Sequence, residues 1–217
     1  MKMERLGERC AVLSDLDEVP WRLARVIEMR NIPRVLAVVP TFSAIGIYFE
    51  SGFTLDVLKE WEQFGIAAQD NISQQTFVIP VCYEMELDLD RVSERLNISR
   101  EKVLEFHLGK EVTCYSVGFC PGFAYCGPLA PEISQVSRLP SPRPKIEAGS
   151  VGIYGENSAV YPIVRPGGWN IIGQTPLILV DVEDNFFPIR PGAKIRYERI
   201  DEAEFRKLKG NRLVEID

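Results

Sequence analysis

The chain has 217 residues, 46% of them hydrophobic, with a formal net charge of −6 and a single histidine. That length and apolar fraction suffice for one large domain or two small ones. The acidic balance argues against a polyphosphate-binding surface, whose affinity comes from clustered Lys and Arg, so no nucleic-acid partner is expected. No stretch approaches the roughly 20 apolar residues of a membrane span, and the opening Met1-Lys-Met-Glu-Arg-Leu-Gly-Glu-Arg9 lacks the apolar run of a signal peptide. A cytoplasmic protein without a membrane partner is expected.

Residues 9–13 alternate as a strand, and Pro20 then opens a helical pattern of Trp21, Leu23, Ala24 and Ile27 that Asn31 and Pro33 close. The β-branched runs 35–39 and 45–49 join through Pro40 and Thr41 as a hairpin would. Thr54 is placed to cap a second helix carrying Leu55, Leu58, Trp61 and Phe64, and residues 76–82 return to strand character. The order is β-α-β-β-α-β, the ferredoxin-like split pattern, which buries one sheet face under two helices.

Residues 88–96 and 99–108 form two short helices around Asn97. The pair has a helix-turn-helix outline, but Glu101 and Glu105 accompany Arg100 and Lys102 on its second helix, so a connector between domains is the better reading. From residue 111 onward the pattern changes to short strands punctuated by Gly and Pro, at 112–119, 150–154, 160–164, 169–172, 177–180 and 194–198. A small helix at 201–208 precedes a last strand at 213–216. Many short strands with turn signals predict a closed or nearly closed β barrel.

Few residues announce chemistry. The five cysteines Cys10, Cys82, Cys114, Cys120 and Cys126 contain no C-x-x-C pair, which favours reduced thiols over a zinc site. His107 ends the second connector helix, where the helix dipole favours its protonated form, and a helix-capping role is the alternative. General acid-base work falls to it or to carboxylates such as Glu84, Glu86, Glu147 and Glu156. Cys120 has no evident activating base. Gly149-Ser-Val-Gly152-Ile-Tyr-Gly155 lacks the Lys of a phosphate loop and leads into a strand, so no cofactor motif is present. Arg143 and Lys145 lie in Pro140-Ser-Pro-Arg-Pro-Lys-Ile146, whose prolines hold two cations in a defined direction, suited to a carboxylate or phosphoryl group or to a plain solvated loop. Phe123, Tyr125, Tyr161 and Trp169 are either the wall of a small-ligand pocket or ordinary core between strands.

Long non-helical stretches rich in Gly, Pro and aromatics carry the resemblance. Gly118-Phe-Cys-Pro-Gly-Phe-Ala-Tyr125, Pro142-Arg-Pro-Lys-Ile-Glu-Ala-Gly-Ser-Val-Gly-Ile153, Tyr161-Pro162 and Pro166-Gly-Gly-Trp-Asn-Ile-Ile-Gly-Gln-Thr-Pro176 resemble the PxpB/KipI family. So do Arg5-Leu-Gly-Glu-Arg-Cys-Ala-Val12 and Val38-Val-Pro-Thr-Phe42. The family is that of the B component of 5-oxoprolinase, also described as allophanate hydrolase subunit 1 or the carboxyltransferase subdomain C/D family. This chain departs from it at Tyr125-Cys-Gly-Pro-Leu129, where members show Tyr-Leu-Gly-Gly-Leu, and at Glu84-Met-Glu-Leu-Asp-Leu-Asp90.

The resemblance implies an α+β protein, a ferredoxin-like βαββαβ domain followed by a cyclophilin-like β-barrel domain. Residues 1–84 are expected to form the first, 85–110 a helical connector and 111–217 the barrel. It also implies a hydrolase subunit, inactive alone, that works in a cytoplasmic hetero-oligomer with PxpC-like and PxpA-like subunits. The complex uses ATP to open 5-oxoproline to glutamate. A KipI-like inhibitor of a histidine kinase, or a component of a urea or amide carboxylase or allophanate hydrolase system, is the alternative. Carried over by position, the catalytic candidates are His107 and Arg143. The substrate-binding candidates are Pro121, Gly122, Phe123, Tyr125, Lys145, Tyr161, Gly167, Gly168, Trp169 and Asn170.

Overall fold

A computed structural model describes residues 1–51 and 72–216. The chain divides into two compact units, Met1–Ser73 and Gln74–Asp217. No described helix is long and apolar enough to cross a membrane.

In the first unit, β1 (Lys2–Arg5), β2 (Cys10–Ser14), β3 (Val35–Pro40) and β4 (Ile45–Phe49) form an antiparallel sheet in the order β1-β2-β4-β3. Helix α1 (Pro20–Met29) starts with proline in its first turn, where a missing N–H costs nothing. It is followed by Asn31 in the left-handed region, φ +46°. Its Leu23, Ala24 and Ile27 pack on the inward residues Ala11, Leu13, Ile45, Ile47 and Phe49 of the sheet. The helix expected from Thr54 lies outside the described residues.

One expectation fails here. Residues 76–82, read as the strand that completes the first sheet, instead supply β5 (Thr76–Val81) of the second unit. The edge beside β2 is taken by β1, which the charged sequence Lys-Met-Glu-Arg hid because only Met3 turns toward the core. The physical reason is proximity. A short turn with Gly7 at φ +70° brings β1 back on β2, whereas β5 would have had to close a much longer loop.

The second unit is built on an eight-stranded sheet. Its strands are β5, β6 (Val112–Val117), β7 (Ala124–Gly127), β9 (Ser150–Tyr154), β10 (Asn157–Val160), β12 (Asn170–Gln174), β13 (Lys194–Arg199) and β14 (Glu215–Ile216), in the order β12-β9-β10-β7-β6-β13-β5-β14. A separate ribbon pairs β8 (Arg143–Ile146) with β11 (Arg165–Gly167). β13 and β5 run parallel, and the other pairs are antiparallel. Cys82, just after β5, exchanges backbone hydrogen bonds of 2.8 and 3.0 Å with Gln174 at the end of β12. Seven strands therefore return on themselves, and closure leaves few ladder groups unpaired.

Helices α2 (Leu89–Leu96) and α3 (Arg100–Leu108) are part of this unit, because Leu89, Val92, Val103 and Leu104 join the barrel core. Asn97 ends α2 in the left-handed region, and the Ser99 hydroxyl caps α3 through the Lys102 N–H. Arg100 pairs with Glu86 and Asp90, and Lys102 pairs with Glu105. The two cations on the second helix of the helix-turn-helix outline are thus matched by carboxylates. Helix α4 (Glu202–Leu208), capped by Asp201, follows β13.

Closure depends on Gly173, where an added Cβ would lie 2.6 Å from Val81 Cγ1 and 3.1 Å from the Cys82 carbonyl oxygen. Gly173→Ala is expected to lower stability by about 1–3 kcal/mol through overpacking. At Gly118 a Cβ would meet only Tyr125, at 4.0 Å, so Gly118→Ala should stay within about 0.5 kcal/mol of the parent. Urea-denaturation midpoints check both, and equal midpoints would refute the closure argument.

Candidate functional site

The β6–β7 connection is a tight, self-bonded loop. The Gly118 N–H donates to the Phe123 carbonyl (3.1 Å), Cys120 N–H to Gly118 (2.7 Å) and Phe123 N–H to Cys120 (3.1 Å). Gly122 sits at φ +72° against Val180, where a Cβ would come within 1.9 Å of Cγ2. Phe119 also adopts positive φ, +66°, and is 58% exposed. A bulky residue in that conformation is uncommon and stores backbone strain.

Below the loop lies an edge-to-face aromatic cluster. Phe123 packs on Tyr125 at 4.9 Å, Tyr161 at 5.1 Å and Trp169 at 5.6 Å between ring centroids, and Phe119 on Phe123 at 5.3 Å. Phe123, Tyr161 and Trp169 are buried, while Tyr125 is half-buried. The two sequence readings therefore divide between residues: three rings are core, and Tyr125 with Phe119 forms the accessible rim. Gly167 lets the chain cross close over Tyr161, since a Cβ there would be 2.2 Å from the hydroxyl. Gly168 backs against Pro142, and Pro121 is exposed at the loop tip. Burial pushes the Tyr161 hydroxyl up to about 12, a shift that a hydrogen bond from the Trp169 backbone and the charge of Arg138 partly oppose. It remains a protonated donor at neutral pH.

Arg143 is not a free cation. Its Nη1 and Nη2 donate to Asp88 Oδ2 and Oδ1 at 2.9 and 2.7 Å, a bidentate pair in which the Asp88 side chain is only 4% exposed. Asp88 Oδ2 also accepts the Ile171 N–H at 2.7 Å, and the Asp88 N–H donates to the Ile171 carbonyl at 2.9 Å. Sequence reasoning missed Asp88 because it reads as the cap of α2. That capping role falls to Glu86, whose Oε2 accepts the Leu89 N–H at 2.7 Å. Lys145 is likewise paired, with Glu147 at 2.6 Å on the surface.

Asn170 is fully buried and spent on structure. Its amide nitrogen donates to the Ser137 and Ile153 carbonyls at 3.0 and 3.1 Å, and its oxygen accepts from Arg91. Arg91 thereby ties α2 to β12, a second link that the sequence did not signal.

His107 belongs to a different group. Its Nδ1 meets the Tyr83 hydroxyl at 2.8 Å and its Nε2 meets Ser158 Oγ at 3.1 Å. Ser158 in turn donates to the Tyr197 hydroxyl at 3.0 Å, and the imidazole stacks on Tyr197 at 4.4 Å. Tyr83 and Tyr197 belong to the barrel core, not to the aromatic cluster around Phe123. The protonated form expected from the helix terminus is overturned, because burial lowers the His107 pKa to about 3. Desolvation outweighs a helix dipole worth at most about 2 kcal/mol. The Cys120 thiol is pushed up by burial, against the opposing charge of Arg165, and is not an activated nucleophile. All five cysteines are free and buried. Among the described residues no cluster of His, Cys, Asp and Glu is arranged to hold a metal ion.

Known proteins share this architecture. The model of the carboxyltransferase domain, subdomain C and D, matches residues 2–187. The B component of the Bacillus subtilis 5-oxoprolinase is 31% identical over 96% of both chains. That of Escherichia coli O157:H7 is 34% identical over 82% of this chain and 83% of its own. The crystal structure of TTHA0988 superposes with a TM-score of 0.78 at 26% identity over 89% of this chain, which spans only 40% of that longer chain. The urea carboxylase of Kluyveromyces lactis shares the fold, with a TM-score of 0.70 at 14% identity over 99% of this chain and 23% of its own.

Asp88→Ala would leave Arg143 without its counter-ion and the Ile171 N–H without an acceptor, and should destabilise the protein by about 3–5 kcal/mol in urea denaturation. A loss below about 1 kcal/mol would contradict the clamp. His107 gives a pH signature. The unfolded imidazole takes a proton near pH 6.5 while the buried one resists it down to about 3. Its contribution is therefore full above pH 6.5 and is lost as pH falls toward 3, at up to roughly 1.4 kcal/mol per pH unit. His107→Gln should flatten the stability profile in that window; an unchanged slope would show that other groups set it.

Proposed function

The chain belongs to the family of carboxyltransferase domains, subdomain C and D, and from that membership we propose that it is the B-type component of an ATP-dependent 5-oxoprolinase. The observation that carries this reading is similarity to the B component of a 5-oxoprolinase over nearly the whole length of both chains. The substrate is 5-oxoproline and the product glutamate. The partners are PxpC-like and PxpA-like subunits, and the working site is shared between this chain and the PxpC-like one.

The chemistry explains why a partner is needed. Opening a lactam at neutral pH requires an activated amide carbonyl. Phosphoryl transfer from ATP to the amide oxygen supplies that activation: a new P–O bond forms as the bond to ADP breaks. Water then adds to the amide carbon and the ring C–N bond breaks with the nitrogen leaving as an amine, which gives an acyl phosphate. A second water adds to that acyl carbon and phosphate leaves, so glutamate, ADP and phosphate form with two waters consumed. The glycine-spaced segment 149–155 is not built to bind a nucleotide. The Gly149 N–H is used by the Tyr161 carbonyl and the Ser150 N–H by that of Glu147, at 2.8 and 3.3 Å. A Cβ at Gly149 would lie 2.4 Å from the Thr175 carbonyl oxygen, so that turn is filled by the chain itself. No phosphate cradle forms there, and ATP is assigned to the partners.

Neither His107, neutral and enclosed in the barrel core, nor the buried thiol Cys120 supplies the site with an activated nucleophile. What it offers is a rigid aromatic and cationic wall, suited to positioning a substrate. The chain mixed with its two partner proteins, ATP and 5-oxoproline is expected to release glutamate and phosphate, and the chain alone to release neither. A fully assembled mixture without turnover would overturn the substrate assignment.

A further inference from the structure

The four arginines around the aromatic cluster are unequally used. Arg143 is bound by Asp88. Arg91 reaches Asn170, and Arg165 donates to the Val164 carbonyl. Among the described residues no carboxylate forms an ion pair with Arg91, Arg138 or Arg165. In a chain of net charge −6 this contrasts with Arg100, Arg199 and Arg212, each of which pairs with two acids.

Arg138 is held in place, and among the described residues no side-chain hydrogen bond uses its guanidinium. Its guanidinium lies 4.4 Å over the Tyr154 ring, and Tyr154 leans on Trp169 at 5.9 Å. Its backbone is anchored at three successive residues. The Ser137 carbonyl accepts from Asn170 at 3.0 Å, the Arg138 carbonyl from Arg91 at 3.5 Å, and the Leu139 N–H donates to Gly168 at 2.8 Å. The side chain is exposed, and its charge acts on both Tyr125 and Tyr161.

We propose that Arg138, stacked on Tyr154 beside the half-buried Tyr125, binds the carboxylate of a small anionic ligand at the rim of the aromatic cluster. Stacking on a ring face leaves the planar N–H fork free for a carboxylate, a geometry that Lys cannot reproduce. Arg143 serves the same wall indirectly: by occupying Asp88 it removes the nearest buried negative charge. Naming the ligand as 5-oxoproline rests on the proposed function, because that molecule is a compact lactam with one carboxylate. The subsite itself rests only on the geometry of Arg138.

Ligand-observed NMR titration of the isolated chain tests this, with 5-oxoproline, its uncharged carboxamide and inorganic phosphate as probes. The wild type should bind 5-oxoproline measurably and the carboxamide at least tenfold more weakly. Arg138→Gln should weaken 5-oxoproline binding about tenfold or more, Arg138→Lys should fall between, and Arg196→Gln on β13 should match the wild type. Circular dichroism verifies that each variant is folded. Absence of binding by the wild type, equal binding by Arg138→Gln, or a preference for phosphate over 5-oxoproline would each overturn the proposal. Arg138-dependent binding by a chain whose complete complex fails to turn over 5-oxoproline would leave the subsite standing and remove the assigned reaction.

Discussion

The carboxylate of Asp88 is the constraint on which the rest of the site depends. It stands at the start of α2, grips Arg143 on β8 with both oxygens, and accepts the backbone N–H of Ile171 on β12. Three elements distant in sequence are thereby fixed at one point. A buried ion pair is a weak source of net stability, because desolvation offsets most of the Coulombic gain. Its value here is geometric: a carboxylate with both oxygens occupied tolerates little displacement of any partner. The β8–β11 ribbon lies outside the main sheet, so it gains its register from its own pairing and from this clamp.

A second polar group, Tyr83–His107–Ser158–Tyr197, is buried within the barrel and serves a different purpose. Each member finds a partner, and among the described residues no buried side-chain polar atom lacks one. A satisfied network of this kind specifies one packing arrangement among many that an apolar core would allow. Burial also pushes the Tyr197 hydroxyl well up, so the group stays neutral throughout the ordinary pH range. The only histidine of the chain is thus withdrawn from solution chemistry.

The fold was legible where periodicity is local. The inward alternation of β2 and β4, the proline start of α1 and the capped pair α2–α3 follow from residues within one or two turns of each other. The destination of β5 was not, because a β-branched run states that it is a strand without naming its neighbour, and pairing with β13 crosses more than a hundred residues. At the site, Gly122 and Gly167 were carried over from the family resemblance of their Gly- and Pro-rich loops, and the structure shows why Cβ atoms are excluded there. Asp88, Arg91 and Arg138 gave no signal. An acid before a helix looks like a cap and an isolated arginine looks like a solvated surface residue; only their three-dimensional partners distinguish them.

These distinctions change which cations are able to act on a ligand. A guanidinium already bridged to a buried carboxylate offers little net field, since the pair is nearly neutral at the distance of a bound molecule. One stacked on a tyrosine keeps its full charge, and the ring face adds attraction instead of cancelling it. The prolines around Arg143 give it direction, and Asp88 then uses that direction internally. Of the cations left without a carboxylate, Arg138 is the one stacked on a tyrosine, and its backbone is tied to the loop that bears Asn170 and Gly168. The rigid Gly- and Pro-rich loops and this accessible cation are therefore parts of the same construction: the loops set where the rim lies, and Arg138 gives that rim its sign.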